Sequence, residues 1–286
     1  MTKRWSTYRT ICILFAAIIY GTGAKALTIH RALVIGIGRY EDSNWSKING
    51  DNDARYVVSM LEQLGYTDIK SLKNEQATKK NIIAQLESLA KRSKPGDNIY
   101  IHYSGHGQLM TDLNGDESVR WTNWHAQWDE SLVPYDAYMT YCGQDRGEKH
   151  ISDDELAIYL TKIRNAVGRK GEIIVVIDAC HSGDATRGEM DEVVRGVDTK
   201  FNIPKRGGTA VSDPIPEQWL TISACQPYQL CTEIKDKRVG KLTYALFKLR
   251  KSIFRQGRRD MERALANFIK RYETRLPQTP MVTGKK

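Results

Sequence analysis

The chain has 286 residues, 41% of them hydrophobic and 27% charged, with a formal charge of +9. That is long enough for one large α/β domain or two small ones, and the balance excludes a disordered or fibrous protein. Five cysteines in a chain of this size do not make a disulfide scaffold, and no block of Lys and Arg interleaved with aromatics points to nucleic acid.

The N-terminus is a unit of its own. Lys3, Arg4 and Arg9 precede an apolar run over 11–20, and Ala24-Lys25-Ala26 offers a small-x-small cleavage site. This is the three-part pattern of a secretory signal peptide over 1–26, leaving a mature domain over 27–286. The apolar run is too short to span a bilayer comfortably, the alternative reading being an uncleaved membrane anchor, and no later segment is long and apolar enough to cross. The mature chain is therefore expected in the periplasm or outside the cell, without a stable membrane span. Cys142, Cys180, Cys225 and Cys231 stay with it, and Cys225 and Cys231 are near enough in sequence to pair.

Strand-like and helix-like segments then alternate. Residues 32–36 (ALVIG) form a continuous apolar run, as in a strand buried on both faces. Residues 51–64 have helical spacing, 69–72 read as a short strand, and 76–91 as a second helix. Pro95-Gly96-Asp97 is a turn before a strand at 98–103. A polar, Trp-rich stretch over 108–141 reads as a hairpin and loops. A helix over 152–167 opens with Ser152 and Glu155 at capping-box spacing. Residues 172–178 (EIIVVID) and 219–223 are strands, and 242–254 and 260–275 are closing helices. Between them, 184–216 is rich in Gly, Pro and charge and reads as a mobile loop. This alternation predicts an α/β fold, a mostly parallel sheet with helices on both faces.

Two strands run into sequences suited to chemistry. The strand at 98–103 ends in Ser104-Gly105-His106-Gly107, and the strand at 172–178 ends in Asp178-Ala179-Cys180-His181-Ser182-Gly183. Sites in open parallel sheets lie beyond the carboxyl ends of strands. If the two strands are neighbours, His106 and Cys180 face each other there. A thiol is a good nucleophile, and a positioned His can raise its thiolate character and protonate a leaving amine. The backbone N–H groups of Gly107 and Cys180 are candidate oxyanion donors. Two other chemistries compete. His102, His106, Cys180 and His181 could hold zinc, but the His102-x-x-x-His106 spacing is helical and lies in a strand that Gly105 interrupts. Gly36-Ile37-Gly38 has the start of a dinucleotide loop, with Glu41 where the third glycine belongs.

The blocks His-Tyr-Ser-Gly-His-Gly at 102–107 and Asp-Ala-Cys-His-Ser-Gly at 178–183 resemble the two catalytic blocks of metacaspases and bacterial caspase-like peptidases. Ser223-Ala224-Cys225 and the strand order fit as well. The separation of His106 and Cys180 is larger than the about 50 residues of animal caspases. The resemblance implies a caspase-like three-layer sandwich and a thiol endopeptidase, with His106 and Cys180 catalytic and no cofactor needed for the chemistry. It places Asp178, Asp53 (in Asn52-Asp53-Ala54) and Ser104 in the S1 pocket. An acidic pocket favours protein or peptide substrates with Lys or Arg at P1. The resemblance further implies calcium held by Asp153, Asp154 and Asp136, with Arg187 standing where a fourth carboxylate is expected. Hard oxygen ligands suit that ion, although Asp153 and Asp154 are equally placed as first-turn helix acids. A peptidase of this specificity could cut itself at Arg187, Arg195, Lys200, Lys205 or Arg206, all in the 184–216 loop. A monomer is expected. The alternative is a catalytically silent caspase-like module that binds peptides.

Overall fold

The computed structural model describes residues 28–115, 128–181, 192–204, 215–272 and 275–285. The leader at 1–26 lies outside them, as do Arg187, Lys205 and Arg206. In chain order the strands are β1 (His30–Gly36), β2 (Asp68–Lys73), β3 (Asn98–Ser104), β4 (Gly107–Thr111), β5 (Trp128–Leu132), β6 (Ile151–Ser152), β7 (Ile173–Asp178), β8 (Leu220–Ser223), β9 (Glu233–Ile234), β10 (Val239–Gly240) and β11 (Met281–Gly284). The α-helices are α1 (Gly50–Gln63), α2 (Lys79–Arg92), α3 (Asp153–Val167), α4 (Lys241–Leu249) and α5 (Arg258–Ile269).

Six strands form the central sheet in the order β11-β8-β7-β3-β1-β2. All neighbours are parallel except β11, which runs antiparallel to β8. Because successive side chains on a strand point to opposite faces, β1 divides its apolar run between two cores. Ala32 and Val34 pack with α1, α4 and α5 through Val57, Leu61, Leu246 and Leu265. Leu33 and Ile35 pack with α2 and α3 through Leu86, Leu89, Leu160 and Ile163. Helices therefore cover both faces, giving the three layers that strand–helix alternation implies. Each fully buried Leu or Ile here contributes about 1.5–3 kcal/mol of transfer free energy.

Local details depart from the sequence reading. The helix expected from 76 starts at Lys79, because Asn74–Gln76 is a 3-10 turn and the Thr78 side chain accepts from Asn81 N–H as the cap. Ser152 does cap α3 by accepting from Glu155 N–H, but the Glu155 carboxylate pairs with Lys79 Nζ at 2.6 Å rather than closing a capping box. The helix expected over 242–254 ends at Leu249, and the one expected over 260–275 spans Arg258–Ile269. Strand β11 has no precursor in the sequence reading. It is four residues long, and only its pairing with β8 makes it a strand. Residues 193–203, assigned by composition to a mobile loop, instead run extended against β9 and β4. Among the described residues, no helix is long and apolar enough to cross a membrane.

Candidate active site

The register of β3 against β7 sets the geometry. Ser104 pairs with Asp178, so His106 and Cys180, each two residues further on, leave adjacent strand ends in step. Both side chains are buried. The His106 ring stacks on Trp45 with centroids 5.2 Å apart, and its backbone N–H donates to Tyr40 Oη at 2.7 Å. His106 Nε2 lies 2.9 Å from the Ser46 carbonyl. A carbonyl only accepts, so Nε2 carries the proton and Nδ1 is the basic nitrogen of the neutral ring. His102 is on the same strand but serves the interior. It stacks on Tyr100, and its Nε2 lies 3.2 Å from Thr243 Oγ1. Burial lowers its pKa to about 4. His102 and His106 thus have different partners, and neither belongs to a cluster of metal-ligating atoms among the described residues.

Three further residues that the sequence marks converge on one guanidinium. Arg195 Nη1 donates to Asp53 Oδ2 at 2.7 Å and to Ser104 Oγ at 2.6 Å, and lies 3.4 Å from Asp178 Oδ1. Glu233, which the sequence reading missed, takes the other side of the fork: its Oε1 accepts from Arg195 Nη2 at 2.8 Å and from Nε at 3.2 Å. Arg195 is completely buried. Burial opposes its charge, but Asp53, Asp178 and Glu233 outweigh that and hold it protonated. The carboxyl of Asp53 is itself pushed up to about 6 by burial, against the pull of Arg195.

Each carboxylate has its own support. Asp178 Oδ2 accepts from Thr243 N–H at 2.9 Å and Thr243 Oγ1 at 2.6 Å. Asp53 Oδ1 accepts from Gly240 N–H at 3.1 Å. Asn49 donates to Glu233 from its backbone N–H at 2.7 Å and from its side-chain amide. Gly240 is a glycine for steric reasons. A Cβ there would sit 2.7 Å from Arg195 Nη1 and closer still to the Asp178 carboxylate.

The backbone around Arg195 is laid down as a strand. Glu233 N–H donates to the Val193 carbonyl at 3.2 Å, and Arg195 N–H donates to the Cys231 carbonyl at 3.0 Å. Val194 bridges antiparallel to Thr232, and Gly196 bridges parallel to Gly107. Cys180 N–H donates to the Arg195 carbonyl at 2.8 Å. Beyond it, Gln108 Nε2 donates to the Thr199 carbonyl at 2.7 Å, and Phe201 exchanges backbone hydrogen bonds with Leu109 and Thr111 of β4. The segment therefore crosses the site with a basic side chain among the carboxylates, its carbonyl at the Cys180 amide, and its continuation along β4. Gly107 belongs to this seat: a Cβ there would lie 2.7 Å from the Cys180 carbonyl oxygen.

Cys180 has sulfur neighbours. Its thiol donates to the Gln229 carbonyl at 3.0 Å, and the sulfurs of Cys180, Cys225 and Cys231 all lie within 4.8 Å of one another. No two of the described cysteines are joined as a disulfide. Contact with Cys180, together with burial, raises the Cys225 thiol well above its ordinary value, and burial does the same to Cys231.

The carboxylates considered for calcium divide differently from the sequence reading. Oxygens of Asp129, Asp153 and Asp154 lie within 4.8 Å of one another. Asp136 is not in that group: its Oδ1 accepts from Lys79 N–H at 2.9 Å, so it serves the N-terminus of α2. Asp129, on β5, takes the third place. The sequence offers no local signal for it, because its proximity to Asp153 arises from the pairing of β5 with β6 just before α3. An all-oxygen donor set of this kind suits calcium.

The family model for the caspase domain, peptidase C14, matches residues 29–284. Metacaspase-1 of Meyerozyma guilliermondii is 30% identical over 189 residues, which cover 63% of this chain and 41% of the relative. Metacaspase-1B of Neurospora crassa is 31% identical over 189 residues, covering 63% and 40%. The match thus spans about two fifths of these relatives' own length. Among solved structures, a Geobacter sulfurreducens protein superposes with a TM-score of 0.62 at 20% identity, covering 90% of this chain and 94% of that one. Caspase-1 of Spodoptera frugiperda superposes with a TM-score of 0.60 at 14% identity, covering 90% and 86%.

Proposed function

The chain belongs to the caspase-domain family, and on that premise we propose that it is a cysteine endopeptidase that cleaves after Arg or Lys and whose first substrate is its own Arg195–Gly196 bond. One observation carries the reading: Arg195 fills the acidic pocket while its carbonyl accepts from Cys180 N–H. A P1 residue would make both contacts: its side chain in the pocket and its carbonyl on the amide of the attacking residue. Of the two basic sites of the 184–216 loop that lie within the described residues, Arg195 and Lys200, the observation favours Arg195.

In this reading the chemistry runs through Cys180 and His106. The Cys180 thiol gives its proton to His106 Nδ1, and the sulfur forms a bond to the scissile carbonyl carbon. The developing oxyanion stays on Cys180 N–H, with Gly107 N–H as the second donor. His106 returns the proton to the leaving amine as the C–N bond breaks. Water, deprotonated by His106, then hydrolyses the thioester and restores the thiol. The Ser46 carbonyl holds Nε2–H throughout, and Trp45 fixes the ring plane. Metacaspase relatives support a basic P1 preference, and the four oxygen-bearing residues around Arg195 give it a physical basis: three carboxylates and a hydroxyl suit a guanidinium or ammonium.

Calcium belongs to this proposal as a structural ion. Asp129, Asp153 and Asp154 would hold it, tying β5 to α3. Because β5 pairs with β4, it would steady the strand along which 196–203 lie. Export of residues 27–286 is also proposed, on the basic, apolar and small-residue order of 1–26.

The test uses the full chain beside Cys180→Ala, assayed on peptides with Arg, Lys or Asp at P1. Turnover after Arg or Lys that vanishes in Cys180→Ala supports the reading, as does a new C-terminus at Arg195 found by mass spectrometry. Turnover only after Asp overturns the pocket. No turnover in any arm leaves a silent module whose groove holds its own strand.

A further inference from the structure

We propose that Cys180, Cys225 and Cys231 form a three-thiolate site for a soft divalent cation of the zinc class, with the nucleophile itself as one ligand. Binding does not depend on the peptidase reading. Only its consequence, reversible shut-off of the enzyme, rests on Cys180 being the nucleophile.

The fold brings the three sulfurs together from separate places. Ile177 of β7 pairs with Ser223 of β8, so Cys180 and Cys225 emerge side by side beyond neighbouring parallel strands. The chain then turns back, and Cys231 precedes β9 on the same side. All three are buried, and each sulfur offers one ligand atom within 4.8 Å of the other two. Zn–S bonds of about 2.3 Å in a tetrahedron put sulfurs roughly 3.8 Å apart, a contraction that small side-chain rotations can supply.

The thiol hydrogens show where the ion would go. Cys180 and Cys225 both donate to the Gln229 carbonyl, at 3.0 and 3.2 Å, and Cys231 donates to the Ala179 carbonyl at 3.1 Å. One backbone oxygen thus already serves two of the sulfurs. Once the thiols give up their protons, the Gln229 oxygen can turn a lone pair to the metal as the fourth donor. The step balances without redox change: one divalent cation enters, three S–H bonds break, three metal–sulfur bonds form and three protons leave to solvent. A divalent ion leaves a net charge of −1 on the cluster, against −2 for a monovalent one, which favours the zinc class in a buried site.

The strand at 193–196 adjoins the cluster: the Arg195 carbonyl accepts from Cys180 N–H, and Arg195 N–H donates to the Cys231 carbonyl. Metal on the Cys180 sulfur would take up the group that the peptidase reading needs as its nucleophile.

The experiment titrates the full chain, kept reduced, with Zn²⁺ against a chromogenic chelator, and with Cd²⁺ while following thiolate-to-metal charge-transfer absorbance. One equivalent is expected per chain. Cys225→Ser and Cys231→Ser should each weaken Zn²⁺ binding by at least about tenfold and reduce the Cd²⁺ band. Cys142→Ser, at a cysteine remote from the cluster, should change neither. Where peptide turnover is measurable, Zn²⁺ should abolish it, a chelator should restore it, and each variant's inhibition constant should follow its own affinity. Circular dichroism confirms that the variants are folded, and a double Cys225→Ser/Cys231→Ser variant provides a second check. Unchanged zinc affinity in the folded double variant overturns the site. So does a disulfide joining any two of the three cysteines in the protein as isolated, found by non-reducing peptide mapping. Since the titrations need no turnover, failure of the peptidase reading and failure of the metal site are distinguishable.

Discussion

The carbonyl oxygen of Arg195 lies 2.8 Å from the backbone nitrogen of Cys180. One residue thus places its side chain among Asp53, Asp178 and Glu233 and its carbonyl on the Cys180 amide, while its neighbours pair with the chain before β9 and with β4. The same contacts that would orient a substrate hold the chain's own strand in place, so the structure shows a site filled from within.

Replacing Arg195 separates these two roles. Arg195→Lys keeps a cation in the pocket and should retain cleavage at 195–196. Arg195→Ala should abolish cleavage there. It also leaves Asp53, Asp178 and Glu233 without their shared counter-charge, and breaking a buried ion pair from one side costs about 3–5 kcal/mol where water does not enter. Thermal unfolding of both variants in a Cys180→Ala background measures that cost without processing. Equal melting temperatures for Arg195→Ala and its parent would show that water fills the pocket at little expense.

Glu233 should set the choice between Arg and Lys. It accepts from both Nε and Nη2 of the guanidinium, a fork that an ammonium cannot offer. Glu233→Gln should therefore lower kcat/KM for Arg peptides more than for Lys peptides. Asp53→Asn should lower both. The ratio of the two specificity constants is the readout, and an unchanged ratio in Glu233→Gln would remove this residue from P1 selection.

Gly240→Ala tests the shape of the pocket. The added Cβ would fall 2.7 Å from the guanidinium and press on the Asp178 carboxylate. Loss of one charge-assisted hydrogen bond is worth about 1.5–3 kcal/mol, so kcat/KM for Arg peptides should drop by roughly ten- to hundredfold. The backbone at Gly240 has φ of −60°, so the effect should be steric and confined to the pocket.

Acid should weaken the fold through His102. Its ring is buried among Tyr100, Thr243 and, beyond them, Asp178 and Arg195, and burial lowers its pKa to about 4. Between the unfolded value of about 6.5 and about 4, the unfolded chain binds a proton that the folded one does not. The contribution is thus complete above pH 6.5 and is lost as pH falls, by about 3 kcal/mol at the acid limit. Asp53, raised to about 6, acts in the opposite sense across the same range. The measurement is therefore the difference between wild type and His102→Gln in denaturant titrations at pH 7 and pH 4.5. A difference that does not vary with pH would show that His102 is not held neutral.

Calcium dependence should follow Asp129 and not Asp136. Asp129→Asn and Asp153→Asn should weaken calcium binding measured by calorimetry. Asp136→Asn should leave it intact and loosen only the start of α2, where Asp136 accepts from Lys79 N–H. Loss of calcium binding in Asp136→Asn alone would reverse this assignment.

Much of this protein is legible in its sequence because the relevant signals are local. Continuous apolar runs alternating with helical periodicity specify a parallel sheet covered on both faces, and His106 and Cys180 stand just past two of those runs. Asp53, Ser104 and Asp178 likewise sit on or beside elements whose type the sequence reveals. The boundaries it misplaces, such as the start of α2 and the end of α4, depend on caps and short turns, where a few hydrogen bonds decide.

What only the tertiary structure decided is which distant residues meet. Glu233 lies on a two-residue strand with no periodicity to announce it, and reaches the pocket because β9 runs beside the strand that carries Arg195. Asp129 replaces Asp136 among the clustered carboxylates because β5 pairs with β6, a register that no spacing along the chain reveals. Cys225 and Cys231 could be read as partners for each other, yet the parallel pairing of β7 with β8 brings Cys225 beside Cys180, and the turn back toward β9 brings Cys231 there as well. The sequence determined the elements and the chemical groups they carry, since these follow from periodicity and residue type. The fold alone seated Arg195 among three acids, because burying a guanidinium requires counter-charges from separate parts of the chain to arrive at one place.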